Sequence, residues 1–142
     1  MPEPSKLPPR GIRNNNPGNI DRTADRWQGM APDQSGDPRF VVFTAPLWGL
    51  RALAKVLLSY QRKYALRTPA EIIGRWAPPT ENDTGAYARQ VAKAVGVAPG
   101  ERIDLQRPDT LARVVTAIVA HENGQQPYAP DLIAQAVRLA LE

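Results

Sequence analysis

Pro108-Asp-Thr-Leu-Ala-Arg-Val-Val-Thr-Ala-Ile-Val-Ala-His-Glu-Asn-Gly124 is the stretch from which the rest of the chain can be read. Leu111, Val114, Val115, Ile118 and Val119 step by three and four, the spacing of one face of an α-helix. Pro108 suits the first turn, and Gly124 suits the left-handed residue just past the end. Continuing the stripe leads to positions 121 and 122, so Glu122 extends the buried face into the last turn. A carboxylate there meets the negative end of the helix dipole, and burial also disfavours its charge. The expectation is an acid that keeps its proton towards neutral pH, as protonating a glycosidic oxygen requires. The competing reading is a frayed helix end with a solvated Glu122 and an ordinary Asn123-Gly124 cap. His121 reads as a surface or capping residue before it reads as a base.

Other helices precede and follow. Thr44 can cap a helix with Pro46 in its first turn, whose stripe of Leu47, Leu50, Leu53, Ala54, Leu57, Leu58 and Tyr60 runs to about Tyr64. Thr68-Pro-Ala-Glu71 is a capping box and predicts a short helix over 69–75, ended by Trp76-Ala-Pro-Pro79. Glu81-Asn-Asp-Thr84 reads as a polar loop delivering the cap of a helix that carries Tyr87, Val91 and Val95 to Gly96. Residues 97–107 read as a linker, and a last helix spans about 130–141. The expected fold class is mainly α (α+β).

The chain has 142 residues, of which 18 are basic and 14 acidic, and 42% are hydrophobic. That suffices for a core and argues against wholesale disorder. Without cysteine there is no disulfide scaffold, thiolate zinc site or cysteine nucleophile, and one histidine excludes a multi-histidine metal cage. No metal and no cofactor are expected. No apolar run reaches the roughly 18 residues of a membrane span. The start, Met1-Pro-Glu-Pro-Ser-Lys-Leu-Pro-Pro, lacks the apolar middle of a signal peptide. Residues 1–9 are expected to be a flexible leader and 10–142 a single domain. The basic balance suits anionic partners, yet the cations are scattered, which supports nucleic acid only weakly. No Walker loop, dinucleotide fingerprint or Gly-x-Ser-x-Gly elbow is present.

Residues 10–43 are rich in Asn, Gly, Pro and Asp, and read as loops with a hairpin over roughly 26–43. Asn14, Asn15, Asn16 and Asn19 supply amide donors and acceptors and tolerate left-handed backbone. Such amides suit hydroxyl-rich and N-acetylated sugars; alternatively they satisfy their own turns. Trp27 and Trp76 offer flat faces on which sugars stack, whereas Trp48 lies in a core stripe. Glu81 is a second candidate carboxylate, more suited to a base than an acid because a helix N-terminus follows it. Asp21, Asp25, Asp33 and Asp37 remain equal candidates for a partner carboxylate. Asn82, Tyr87, Asn123 and Tyr128 complete the candidate substrate-binding set around Glu122.

The motifs Arg10-Gly-Ile-Arg-Asn-Asn-Asn-Pro-Gly-Asn-Ile20, Trp27-Gln-Gly29, Phe40-Val-Val-Phe43, Trp48-Gly-Leu-Arg-Ala52, Arg75-Trp-Ala-Pro-Pro79, Glu81-Asn-Asp-Thr84 and His121-Glu-Asn-Gly124 together resemble a family of small lysozyme-like proteins of phages and prophages. Some of its members are labelled virion structural proteins. The likeness spans residues 10–139. A fainter one, to bacterial wall glucosaminidases and lytic transglycosylases, places the same parts in rotated order, as in a circular permutation. The resemblance implies a lysozyme-like helical domain with a small irregular or β-hairpin N-terminal lobe. It implies a phage endolysin or virion-associated lysin, monomeric, that cleaves peptidoglycan glycan strands with Glu122 as single general acid. Such a protein is made in the host cytoplasm and acts on the wall after release, or from within a phage particle. The alternative is a non-catalytic virion structural or wall-binding protein that retains the fold.

Overall fold

The longest apolar stripe becomes the central helix. A computed structural model describes residues 7–80 and 82–142, so most of the expected leader (1–6) and the candidate Glu81 lie outside the described residues. The elements are α1 (Arg10–Arg13), α2 (Pro46–Tyr64), α3 (Pro69–Trp76), α4 (Thr84–Val95), α5 (Pro108–Asn123) and α6 (Pro130–Leu141). Leu50, Leu53 and Leu57 of α2 are fully buried, each contributing about 1.5–3 kcal/mol of transfer free energy. They face Leu111, Val114, Val115 and Ile118 of α5 and Ile133 and Val137 of α6 in one continuous core. α2 packs most extensively on α6, while α3 on α4, α4 on α5 and α5 on α6 complete the helical body.

The helix ends follow the sequence signals. Thr68 accepts from the Glu71 amide while the Glu71 carboxylate accepts from the Thr68 amide, closing the expected capping box. Thr68→Ala is expected to cost about 1 kcal/mol in urea unfolding, because one orphan donor loses its acceptor. Asp83 caps α4 by accepting from the Ala86 amide. Gly96 and Gly124 take φ of 89° and 69°, left-handed values that favour glycine. At α2 the capping position is Ala45 rather than Thr44. Thr44 instead hydrogen-bonds Gly29 through both its amide and its hydroxyl. The 97–107 connection is fastened by buried Gln61, which accepts from the Leu105 amide at 2.7 Å and donates to Asp104 at 2.9 Å.

The expected hairpin over 26–43 does not form. Residues 39–43 meet 20–22 and 30–31 only through isolated antiparallel bridges, Asp21 with Phe40 and Met30 with Phe43. Side-chain amides take the places a neighbouring strand would fill. Gln34 donates to the Val42 carbonyl and accepts from its amide, Asn16 donates to Val41, and Asn15 donates to Phe43. Val41 and Phe43 of the lobe form a second small core with Ala52 of α2, on which Trp27 and Trp48 pack. It sits directly on α2: a Cβ on Gly49 would lie 1.8 Å from the Asn15 carbonyl oxygen, so only glycine permits this approach. Among the described residues no helix is long and apolar enough to cross a membrane.

Candidate functional site

The asparagine-rich segment ends beside the last turn of α5. Asn123 is buried and donates to the Pro17 carbonyl and to Val119, both at 2.9 Å. This clamps the segment against the helix one residue beyond Glu122. Asn19 has a left-handed φ of 51° and turns its amide to Glu122 Oε1 at 3.4 Å. On the other oxygen, the Tyr87 hydroxyl donates to Oε2 at 2.9 Å. Trp76 Nε1 in turn donates to the Tyr87 oxygen at 3.1 Å. A relay of α3, α4 and α5 side chains therefore fixes the direction of the carboxylate. Burial first, and then the negative charge of Glu122, pushes the Tyr87 phenol far above its usual range, so it remains a proton donor to the carboxylate. His121 stacks on the Tyr87 ring with centroids 3.5 Å apart, and its Nδ1 is 2.7 Å from Gln90 Oε1.

Glu122 opens into a cleft of about 480 Å³ between the lobe and the faces of α2 and α3. Of the candidates read from the sequence, Asn19, Trp27, Trp76 and Asn82 share that cleft with Glu122. Tyr87 lies behind it, fully buried, acting through its hydroxyl on the carboxylate. Of the four candidate partner carboxylates, Asp21 and Asp25 line the cleft. Asp21 is held by Arg39 at 2.7 Å.

Several candidates are placed elsewhere, and each for a physical reason. Asn14 is buried and donates to Asp37, while Asn15 and Asn16 spend their amides on lobe carbonyls, so none of the three reaches the cleft. Asn123 is a clamp rather than a ligand group. Tyr128 lies in a separate apolar hollow with Ala94, Ala112 and Ile133, where burial raises its phenol. Asp37 is the buried hub of the lobe, accepting from Arg10, Asn14 and the amides of Arg39 and Phe40. Asp33 closes a turn onto the Ser35 amide.

The cleft also has walls that sequence reasoning missed. Tyr60, Val56 and Phe40 contribute apolar faces, and Gly18 lies next to Asn19. Tyr60 falls on the stripe of α2 and so read as core; its place one turn from the helix end was the available signal. Gly11 shows how closely the parts fit: a Cβ there would lie 2.6 Å from Asn123 Oδ1 and 2.9 Å from Asn19 Oδ1.

No family model matches the chain. Protein P5 of Pseudoalteromonas phage PM2 is 39% identical to it over 127 residues, which cover 87% of this chain and 77% of that protein. By that identity and coverage, and in keeping with the phage association its motifs imply, the chain belongs to the family of phage PM2 protein P5.

Proposed function

We propose that the protein is a phage-borne glycosidase that cleaves the glycan strand of bacterial peptidoglycan, with Glu122 as general acid. The observation that carries this reading is the carboxylate of Glu122, held by Tyr87 and Asn19 and facing a cleft with tryptophan walls. A glycosidase needs a carboxyl group beside the scissile oxygen and flat apolar faces for the sugar rings. Trp27 and Trp76 supply the faces, and Asn19 and Asn82 supply neutral amides for hydroxyl and N-acetyl groups. Glu122 gives its proton to the glycosidic oxygen as the bond to the anomeric carbon breaks. Asp25 lines the cleft without an ion pair among the described residues, and it is the candidate to stabilise or attack the anomeric carbon, to which water then adds to complete hydrolysis. Without it, the N-acetyl group or 6-hydroxyl of the substrate itself would take that part. The likeness to small lysozyme-like phage proteins supports the reading.

A second reading is favoured by the kinship with protein P5, which speaks for a phage protein and not for catalysis. In it the chain is a non-catalytic component of the phage particle that keeps the cleft, binding wall glycan or serving only the particle's architecture. Clearing of peptidoglycan-exposed cells by the purified protein separates the two: falling turbidity supports the glycosidase, and binding without clearing supports the particle component. Tyr87→Phe removes a hydrogen bond to the carboxylate and is expected to slow clearing roughly tenfold without unfolding the protein.

A further inference from the structure

The central helix carries a basic face that the glycan reading does not use. α2 (Pro46–Tyr64) contains Arg51, Lys55, Arg62 and Lys63 and no acidic residue. Lys55, Ser59, Arg62 and Lys63 line one hollow of about 370 Å³ together with Arg26 and Asp25 of the lobe, four cations to one carboxylate. Lys55, Arg62, Lys63 and Arg26 make no ion pair among the described residues. An ordinary solvated helix face mixes both signs of charge. The helix dipole accounts for cations in the last turn, at Arg62 and Lys63, but not for Lys55 two turns earlier or for Arg26 on another segment.

The position of this hollow is the second observation. It shares Asp25, Trp27 and Val56 with the cleft that holds Glu122, so the two hollows adjoin, one lined by tryptophans and the carboxylates of Asp21 and Glu122, the other mainly by cations. A polymer entering the cleft therefore runs out over a row of positive charges. An uncharged sugar strand has nothing for them to bind. Wall glycan does, because its alternate sugars carry short peptides that end in carboxylates.

We propose that the basic groove formed by Arg26, Lys55, Arg62 and Lys63 is a subsite for the anionic peptide substituents of the glycan strand. It makes the protein selective for peptide-bearing over peptide-free glycan. This inference rests on the glycan reading of the cleft. Its test is chosen so that the two can fail separately.

Two fluorescent ligands are prepared from one wall source: glycan strands with their peptides, and strands stripped of peptide by an amidase, their freed lactyl carboxylates then capped as methyl amides so that they carry no charge. Affinities are measured by fluorescence polarisation for the full chain and for Lys55→Glu/Lys63→Glu, both in a Glu122→Gln background that prevents turnover. The double variant is expected to bind peptide-bearing strands at least tenfold more weakly at low salt, and stripped strands within twofold of the parent. The advantage for peptide-bearing strands should shrink as salt screens the pairs. Lys55→Ala/Lys63→Ala supplies the same comparison without introducing repulsion, with a smaller loss of the same selectivity. Equal loss on both ligands, or no loss on either, overturns the proposal. So does a greater loss on a double-stranded DNA duplex or on anionic lipid vesicles, which would make those the partner. A wild-type protein that binds with this selectivity and releases no fragments from either substrate would overturn the glycosidase reading alone.

Discussion

Glu122→Gln is expected to lower the rate of glycan cleavage by about 10²–10⁴, with the unfolding midpoint close to that of the parent. Glutamine fills the same space and can still accept from the Tyr87 hydroxyl, so the relay from Trp76 through Tyr87 survives. What it cannot do is give a proton to a leaving oxygen. The measurement is dye release from labelled sacculi beside a urea melt of the same preparation. The structural partners of the helix end sharpen the comparison. Asn123→Ala removes the clamp on Pro17 and is expected to lose activity together with stability, whereas Glu122→Gln separates them.

The largest effect on stability is expected at Asp37, the hub of the lobe. Its carboxylate is 3% exposed and accepts from Arg10 at 2.5 and 2.6 Å, from Asn14, and from the Arg39 and Phe40 amides. Asp37→Ala leaves those donors without an acceptor. Arg10 is half exposed and recovers water, which limits the loss. Asn14 and the two amides recover less of it, and the net cost is about 2–4 kcal/mol in urea unfolding. The same contacts, Arg10 foremost, hold the Asp37 carboxyl well below the usual aspartate range. A folded-state pKa below the unfolded value contributes stability that is complete above the unfolded pKa, near 3.9. That contribution falls as the pH drops below about 4 and is gone once the folded value is passed. The parent should therefore lose stability in that acid range more steeply than Asp37→Ala, with the two curves converging at low pH. Parallel curves would show that the hub carries no charge-linked stability.

The helical body was legible because each helix carries two agreeing signals. For α3 these are Thr68 with Glu71 and the buried pair Ile72 and Ile73; for α5 they are the stripe from Leu111 to Val119 and Gly124. α1 was not legible. Its four residues have no period to show, and the Pro9 and Arg10 carbonyls close it by accepting from Arg13 and Asn14. The lobe was misread for a related reason. An amide side chain that faces a cleft and one that replaces a β-strand are the same residue type, and only the fold separates Asn19 from Asn14, Asn15 and Asn16. The buried stripe of α5 ends in Asn123 and not, as expected, in Glu122, which is only partly buried at the cleft, and Tyr60, Asp21 and Phe40 enter that cleft only through contacts distant in sequence. The cations of α2 read as scattered in the sequence, because their gathering depends on Arg26 arriving from the lobe.

A glycosidase of this kind requires the carboxyl group at position 122 to act on a sugar chain in the cleft beside it. Purified full-length protein is incubated with bare sacculi, and the supernatant is read by mass spectrometry. Disaccharide-peptide fragments are expected, whose new ends, reducing or anhydro, name the reaction, and they are expected to disappear with Glu122→Gln. Sacculi that stay intact under saturating protein, or fragments undiminished in that variant, would contradict the glycosidase reading.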